Sequence, residues 1–159
     1  GKTGTGKTKT IMERYGYDNV FRVTSYRYPF DNYRGQDVII FEEFYNSLSI
    51  QEMLTLLDGY PLDLPCRYNN KTACYTKVYI LSNMDLSQQY LNVQDESRET
   101  WNAFLRRIHA VKIFDENGIK DYKSPEEYLF RFRGCPSSPW DAEKEKQYEQ
   151  EMLDLRNGK

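Results

Sequence analysis

Short runs of apolar residues alternate along the chain with segments whose apolar positions recur at helical spacing. The runs predict strands at residues 20–23, 37–41, 77–81 and 110–114. Helical spacing predicts helices at residues 7–15, 49–57 and 98–107, and a short helix or irregular segment at 124–132. A continuous apolar run is typical of a strand buried in a parallel sheet. The alternation of strands and helices therefore predicts an α/β fold, with a central parallel sheet between helices.

The helix at 49–57 has a clear N-terminal signal. Ser49 is followed three residues later by Glu52, and this pair can form a capping box. The predicted apolar face of the helix consists of Ile50, Met53, Leu54 and Leu57.

A predicted β-hairpin follows a turn at residues 58–61. Its arms are residues 62–67 and the chain from Ala73 onward, and its tip is Asn69-Asn70-Lys71. Asparagine tolerates the left-handed backbone conformations that such a tip requires. Farther along, Glu116-Asn117-Gly118 predicts another turn, directly after the strand at 110–114.

Composition narrows the possible classes of protein. A length of 159 residues fits one domain with a sizeable core. The net charge is −2, so any contact with nucleic acid must be local rather than driven by an overall basic field. No run of about 18 apolar residues predicts a membrane span.

The cysteines and the single histidine argue against metal and triad chemistry. Cys66, Cys74 and Cys135 contain no C-x-x-C pair, a usage typical of a reducing compartment, although Cys66 and Cys74 could face each other across the hairpin. His109 is the only histidine, so neither a four-ligand zinc site nor a nucleophilic triad is indicated.

The C-terminal segment differs in composition from the rest. Residues 136–139 read Pro-Ser-Ser-Pro and predict a linker, and residues 141–155 predict a highly charged helix with little apolar face. The predicted division is therefore a main domain at 1–135, followed by a linker and a charged C-terminal helix at 136–159.

The first eight residues match the phosphate-binding pattern G-x-x-x-x-G-K-[ST]. The glycines allow successive backbone N–H groups to face one phosphate, and the following helix directs its positive end toward the same point. In this pattern Lys7 reaches the β- and γ-phosphates and Thr8 offers a hydroxyl to Mg²⁺. The alternative is a glycine-rich turn without a ligand. The predicted ATP-binding residues are Gly1, Lys2, Thr3, Gly4, Thr5, Gly6, Lys7 and Thr8.

A phosphate-binding loop ordinarily follows a buried strand, whereas here the pattern begins at residue 1. We therefore expect the chain to be a fragment of a longer protein whose preceding strand is missing, and we expect it to behave poorly in isolation.

Acidic and amide side chains follow two of the predicted strands. Glu42 and Glu43 come after the apolar run at 38–41, at the edge of a parallel sheet where ligands bind. By order, Glu42 is the predicted metal-binding acid and Glu43 the base that activates water. Asn83 follows the strand at 77–81 and could sense the γ-phosphate. The alternatives are a solvated acidic strand end and an ordinary Ser-Asn turn.

Two arginines end the helix at 98–107. Arginine is the usual side chain for stabilising charge on a transferring phosphoryl group, and Arg106 or Arg107 could act on a neighbouring subunit's nucleotide. The alternative is a surface helix end, where cations favour the helix dipole.

In this order the motifs resemble those of superfamily 3 helicases, in particular the helicase domain of rolling-circle replication initiators of circular single-stranded DNA viruses and plasmids. The resemblance covers residues 1–8 (Walker A), 37–44 (Walker B), 57–71 (motif B′), 80–83 (motif C) and 104–108 (arginine finger). It implies an AAA+-like P-loop NTPase fold, an αβα sandwich here without its N-terminal strand. It also implies ATP as the substrate and Mg²⁺ as the cofactor.

The resemblance further implies a homo-hexameric ring whose B′ hairpin grips single-stranded nucleic acid in the pore. Lys71 matches the hairpin tip, and Arg67 is a weaker candidate for the same contact. Asn83 would be the sensor, and Arg106 or Arg107 the finger acting in trans. A nicking endonuclease domain is expected upstream, and the site of action would be the cytoplasm of a bacterium or the nucleus of a eukaryotic host.

One departure and two alternatives accompany this resemblance. The family usually has Asp at the first acid, where this chain has Glu42, so the division of roles between Glu42 and Glu43 stays open. Viral RNA helicases share the motif order, which leaves RNA as an alternative to DNA. A non-catalytic remnant that only binds nucleic acid is the third hypothesis.

Overall fold

The computed structural model describes residue 1 and residues 4–132. The predicted linker and charged helix at 136–159 therefore lie outside the described residues. The chain divides into two compact units, Gly1–Pro125 and Glu126–Lys159.

The described elements follow one another as short strands and helices. The helices are α1 (Lys7–Tyr15), α2 (Ile50–Leu56), α3 (Leu91–Glu96), α4 (Arg98–Arg106) and α5 (Pro125–Phe132). Two 3₁₀ helices cover Tyr17–Asn19 and Leu86–Gln88. The strands are β1 (Val20–Val23), β2 (Val38–Phe41), β3 (Asp63–Leu64), β4 (Lys71–Thr72), β5 (Lys77–Ile80), β6 (Val111–Asp115) and β7 (Gly118–Tyr122).

A parallel three-stranded sheet in the order β1-β2-β5 forms the centre of the first unit. Ile39 of β2 lies opposite Phe21 on one side and Val78 on the other. All four residues of β2 are buried, because this strand is covered on both faces and paired on both edges. The mixed α/β class with a parallel sheet is thus confirmed.

The two faces of the sheet are covered differently. On one face, Ile11 of α1 packs with Val20, Val38, Ile40 and Leu81 in an aliphatic cluster. The other face carries aromatic rings in edge-to-face contact: centroids of Phe21 and Tyr33 are 5.4 Å apart, and those of Tyr90 and Phe104 are 5.5 Å apart. Such ring pairs add to the stabilisation from burial alone.

Most predicted elements agree with the structure within two residues. The capping box is present: the Ser49 side chain accepts from the Glu52 backbone, and the Glu52 carboxylate accepts from the Ser49 backbone. The predicted apolar face of α2 needs a correction, since Leu56 is buried while Leu54 and Leu57 are only half-buried.

The hairpin differs from its prediction at the tip. Its ladder pairs β3 with β4, with Lys71 opposite Leu64, and beyond the ladder the Ala73 N–H donates to the Leu62 carbonyl oxygen at 2.8 Å. The prediction that Lys71 sits at the tip is therefore wrong, because the turn consists of the residues before it, up to Asn70. Cys66 and Cys74 are both free, so they form no disulfide.

β7, α3 and the two 3₁₀ helices were not predicted. β7 pairs antiparallel with β6 across the turn at 116–118, in a two-stranded sheet separate from the central one. α3 is a six-residue helix with no buried residue. Within residues 1 and 4–132, no helix combines the length and the apolar character that crossing a membrane requires.

Candidate nucleotide-binding site

The glycine-rich loop leads directly into α1. Gly4 and Gly6 have φ values of 81° and 79°, a left-handed conformation that glycine adopts without strain. Gly6 is the N-cap of α1 and provides no capping side chain, and the positive end of the helix dipole favours an anion there. Of the predicted ATP-binding residues, Lys2 and Thr3 lie outside the described part of the chain.

Lys7 connects the loop to the end of β5. Its Nζ atom donates to the Gly1 carbonyl oxygen at 2.5 Å and to Oδ1 of Asn83 at 2.9 Å. Burial lowers the pKa of the Lys7 ammonium, and the carboxylates of Glu42 and Glu43 oppose this shift. The cation therefore lies between the loop and the polar ends of two strands.

Glu42 is held by two side chains from different elements. The Thr8 hydroxyl donates to Oε2 of Glu42 at 3.0 Å, and Arg22 Nε donates to Oε1 at 2.7 Å. Only 12% of the Glu42 side chain is exposed, against 46% for Arg22. Both carboxylate oxygens thus have a charged or polar partner, and the acid is fixed beside the start of α1.

Glu43 occupies a strained turn directly after β2. Its φ of 46° places a non-glycine residue in the left-handed region. The peptide groups around it are held: the Glu42 N–H donates to Val23 O at 3.0 Å, and the Phe44 N–H donates to Leu81 O at 2.8 Å. Tyr26 adds a third bond from its hydroxyl to the Glu42 carbonyl oxygen at 2.7 Å. These hydrogen bonds therefore fix the backbone on both sides of Glu43.

These groups surround a single pocket of about 330 Å³. The lining includes residues from the loop, from the end of β2 and from the end of β5. They are Gly4, Thr5, Gly6, Lys7, Thr8, Lys9, Glu42, Glu43, Leu81, Ser82 and Asn83. The structure thus brings together the loop, acidic and amide residues that the sequence predicted separately.

A partly buried hydrogen-bond network supports the Asn83 end of the pocket. The Ser82 hydroxyl donates to the Phe44 carbonyl oxygen at 2.6 Å, and Gln89 Nε2 donates to the Ser82 Oγ at 3.1 Å. Gln89 is only 5% exposed, so its side of this bond is shielded from water. The turn carrying Glu43 and the turn carrying Asn83 are therefore fixed relative to each other.

Sequence reasoning missed three of these supporting residues. Arg22, Tyr26 and Gln89 belong to no phosphate-binding motif, and each acts through a contact between segments distant in sequence. The only signal in the sequence is for Arg22, which is the single charged residue in the otherwise apolar strand β1.

Arg106 and Arg107, the two predicted arginine-finger residues, do not line the pocket of their own chain. Arg106 is exposed near the end of α4. Arg107 is tied down: its Nε donates to Oδ1 of Asp58 at 2.9 Å, and its Nη1 donates to the Ala103 carbonyl oxygen at 2.9 Å. Neither arginine is among the described residues that line the pocket.

The predicted nucleic-acid residues Arg67 and Lys71 also lie outside the pocket lining. Both contact Asp31: Arg67 Nε donates to Oδ2 at 2.5 Å, and Lys71 Nζ donates to the backbone carbonyl oxygen. The hydrogen bonds from Arg67 lower the pKa of the Asp31 carboxyl. The hairpin is thereby fastened to the loop between β1 and β2.

The donor set in the pocket is poor in protein ligands for a metal. Over residues 1 and 4–132, no group of three or more His, Cys, Asp and Glu side chains is arranged to hold an ion. Thr8 and Glu42 supply a hydroxyl and a carboxylate oxygen in direct contact. Mg²⁺ is commonly bound with only one or two ligands from the protein, because phosphates and water complete its coordination.

Comparison with known proteins finds similarity to replication-associated proteins of circoviruses. No family model matches the chain. The chain is 27% identical to the replication-associated protein of goose circovirus over 84% of its length, and 30% identical to that of canary circovirus over 76%. It is 21% identical to that of porcine circovirus 2 over 89% of its length.

The similarity covers a part of these relatives. The chain spans 42%, 39% and 44% of the goose, canary and porcine circovirus 2 proteins respectively. The chain is thus an α/β protein similar to circovirus replication-associated proteins over less than half of their length.

Proposed function

We propose that the chain is the ATP-hydrolysing motor of a rolling-circle replication protein and acts as a helicase on single-stranded DNA. One observation carries the proposal: Lys7, Thr8, two acids and Asn83 converge on one pocket at the carboxyl edge of a parallel sheet. The similarity to replication-associated proteins supports the biological setting.

ATP binding uses the loop and the start of α1. Gly4 and Gly6 line the pocket with left-handed backbone, and the helix dipole favours phosphate there. The Lys7 ammonium donates to the Gly1 carbonyl oxygen and to Asn83 Oδ1. When ATP binds, oxygens of the β- and γ-phosphates would replace these two protein oxygens as its acceptors. Binding energy therefore comes mainly from charge-assisted hydrogen bonds.

Mg²⁺ would be held by the Thr8 hydroxyl and the Glu42 carboxylate, which are already in contact at 3.0 Å. The ion supplies Lewis-acid stabilisation of charge on the phosphate oxygens. Arg22 keeps the Glu42 carboxylate in place through its own bond at 2.7 Å. Arg22 is therefore a positioning residue for the metal-binding acid.

Glu43 accepts the proton of the attacking water in this mechanism, and Asn83 orients that water against the γ-phosphate. The left-handed turn holds Glu43 rigidly, as a general base requires. The network of Ser82 and Gln89 keeps Asn83 at a fixed distance from that base.

Arg106 is the better candidate for the finger that completes a neighbouring subunit's site. Its side chain is exposed, whereas the guanidinium of Arg107 is bound to Asp58 and to its own helix. An arginine that acts in trans must be able to reach another chain, and an exposed side chain satisfies this condition. The catalytic assembly is then a ring of identical subunits.

The test is the ATP turnover of the purified 159-residue chain, with and without single-stranded DNA. Lys7→Ala should lower turnover at least about 100-fold, because it removes the charge that binds the transferred phosphate. Lys77→Ala is the matched control: this lysine begins β5 at the opposite edge of the same sheet, and it pairs there with Asp37 at 2.9 Å. Where the unchanged chain and Lys77→Ala both turn over ATP, equal turnover by Lys7→Ala would refute the motor.

A further inference from the structure

One tyrosine side chain, Tyr26, contacts the peptide group between the two acids of the candidate site. Tyr26 lies in the loop between β1 and β2, and its hydroxyl donates to the Glu42 carbonyl oxygen at 2.7 Å. That oxygen belongs to the peptide group that joins Glu42 to Glu43. Tyr26 is not among the described residues that line the pocket, so any effect of this side chain on the reaction has to act through another residue.

The peptide groups before and after this one are held by backbone atoms. The Glu42 N–H donates to the Val23 carbonyl oxygen at 3.0 Å. The Phe44 N–H donates to the Leu81 carbonyl oxygen at 2.8 Å. The peptide group between them is the one whose carbonyl oxygen Tyr26 holds. A substitution at position 26 can therefore remove this middle contact while both main-chain hydrogen bonds remain.

The same peptide group carries backbone strain. The φ of Glu43 is 46°, and Asn46, three residues later, has a φ of 54°. Because a peptide group is planar, rotating it changes the ψ of Glu42 and the φ of Glu43 together and moves the Glu42 carbonyl oxygen. Rotation toward an ordinary negative φ would relieve the strain at Glu43. The Tyr26 hydroxyl opposes this rotation, because it holds the oxygen that would have to move.

The ring of Tyr26 is fixed by two residues that flank the acids in sequence. It stacks on Phe41 with the ring centroids 6.4 Å apart and the planes at 14°. It meets Phe44 edge to face with the centroids 5.9 Å apart. Phe41 and Phe44 are both buried, so the hydroxyl of Tyr26 has a defined place. A phenylalanine at position 26 would keep both ring contacts and lose the hydrogen bond to Glu42.

We propose that Tyr26 is a positioning residue for ATP hydrolysis: by holding the Glu42 carbonyl oxygen, it keeps Glu43 in the left-handed conformation in which this acid lines the pocket. Strain of this kind persists at functional sites where surrounding contacts hold it in place. The inference rests on the proposed role of Glu43 as the base. It deepens that role by naming the contact on which the position of the base depends.

The test compares ATP turnover by Tyr26→Phe and by Tyr75→Phe. Tyr75 is the matched control, since its hydroxyl also donates to a backbone carbonyl oxygen, that of Leu56 at 2.9 Å, and its side chain is also half-buried. The net contribution of one neutral hydrogen bond corresponds to about a 2- to 10-fold change in the population of the held conformation. Tyr26→Phe should lower kcat by this factor and leave the KM for ATP unchanged, because the phosphate-binding loop is untouched. Tyr75→Phe should change neither constant.

A double variant shows whether Tyr26 acts through Glu43. Glu43→Gln removes the base, so adding Tyr26→Phe to it should lower the residual turnover no further. The residual rate is measured as single-turnover hydrolysis of radiolabelled ATP. A loss of the same factor with and without the Glu43 carboxylate would mean that Tyr26 acts on another group, and this result would overturn the inference.

Hydrogen exchange followed by mass spectrometry gives a readout that does not depend on ATP turnover. Loss of the Tyr26 contact should speed exchange in peptides covering residues 42–47, because the turn can then open locally. Tyr75→Phe should leave exchange in this segment as it is in the unchanged chain. Equally slow exchange in Tyr26→Phe would mean that the turn does not depend on the contact, which would overturn the inference.

The outcomes also separate this inference from the proposed function. ATP turnover by the unchanged chain, with full kcat in Tyr26→Phe, overturns the role of Tyr26 and leaves the motor standing. Equal losses of kcat in Tyr26→Phe and Tyr75→Phe also overturn this role, since they would reflect a general loosening of the fold. An unchanged chain that hydrolyses no ATP overturns the proposed function and, with it, the role of Tyr26 in hydrolysis.

Discussion

Substitutions at Glu43 separate its chemical role from the backbone strain that it carries. With φ at 46°, Glu43 lies where residues other than glycine are disfavoured. The turn cannot relax easily, because the neighbouring peptide groups are bound to Val23, Leu81 and Tyr26. Replacing Glu43 by Gly, Ala or Gln removes the carboxylate in each case, but only Gly removes the strain.

An alanine variant is ordinarily more stable than a glycine variant at the same position, and the magnitudes predict the reverse order at position 43. A left-handed conformation costs an L-residue about 1–2 kcal/mol. Glycine has more freedom in the unfolded chain, which costs about 0.4–1 kcal/mol on folding. Glu43→Gly should therefore be more stable than Glu43→Ala by about 0.5–1 kcal/mol. For a chain of 159 residues this corresponds to a rise in Tm of about 1–4 °C.

The assay combines urea unfolding with ATP turnover on the same preparations. All three variants should lose turnover by at least about 100-fold, because none can accept the proton of the attacking water. Two results would refute the reasoning. Glu43→Ala at least as stable as Glu43→Gly would mean that the turn is not strained. Turnover retained in Glu43→Gln would mean that another group is the base.

Three further predictions concern Arg106, Arg107 and alkaline pH. Arg106→Ala should abolish turnover in the assembled ring without changing stability, and mixing it with Lys7→Ala should restore activity, because a shared site then has an intact half from each chain. Arg107→Ala should keep turnover and lose at most about 1 kcal/mol of stability, since its ion pair with Asp58 is partly exposed; the opposite pattern would make Arg107 the finger. Burial raises the pKa of Tyr26 and of Tyr75 from 10.0 to about 12, so the native state keeps protons that the unfolded state has lost between these values. The free energy of unfolding should therefore be highest below pH 10 and should decline as the pH rises to about 12. The measurement is urea unfolding across this range, with the tyrosinate absorbance of the native protein as a second readout. If both hydroxyls were exposed, no such decline would be seen.

The elements nearest the pocket were predictable because local patterns determine them. The run Val38–Phe41 is apolar at every position and is buried at every position, so it could only be a central strand. Gly6 and Lys7 lie at the start of a helix, as the phosphate-binding pattern requires. The positions of Glu42 and Asn83 follow, since Glu42 comes directly after β2 and Asn83 three residues after the end of β5, and these parallel strands end at one edge.

The supporting contacts were not predictable, because they depend on register between strands. Arg22 lies opposite Ile40 in the β1–β2 ladder, and only this register lets its side chain reach the acid two residues beyond. A shift of one residue would place Arg22 on the other face of the sheet. Nothing in the local sequence of β1 specifies which register the two strands adopt.

The missed elements lack the apolar pattern on which prediction depends. β7 is exposed or half-buried along its whole length, so only the Asn117-Gly118 turn pointed to a second arm. α3 buries no side chain, and its N-cap is Tyr90, a ring with a left-handed backbone rather than a typical capping residue. Lys71 was misplaced because the asparagines mark a turn without specifying where pairing resumes.

The glutamate at position 42, where the resembled helicases usually have aspartate, fits its surroundings. Its two carboxylate oxygens serve different partners, Thr8 on α1 and Arg22 on β1. An aspartate is shorter by one methylene, so with the backbone clamped by Val23 and Tyr26 it could not keep both contacts at their present lengths. The longer acid therefore lets one residue contact the Thr8 hydroxyl while Arg22 of the neighbouring strand fixes its orientation. In the proposed mechanism, this arrangement favours Glu42 as the metal-binding acid and leaves Glu43 as the base.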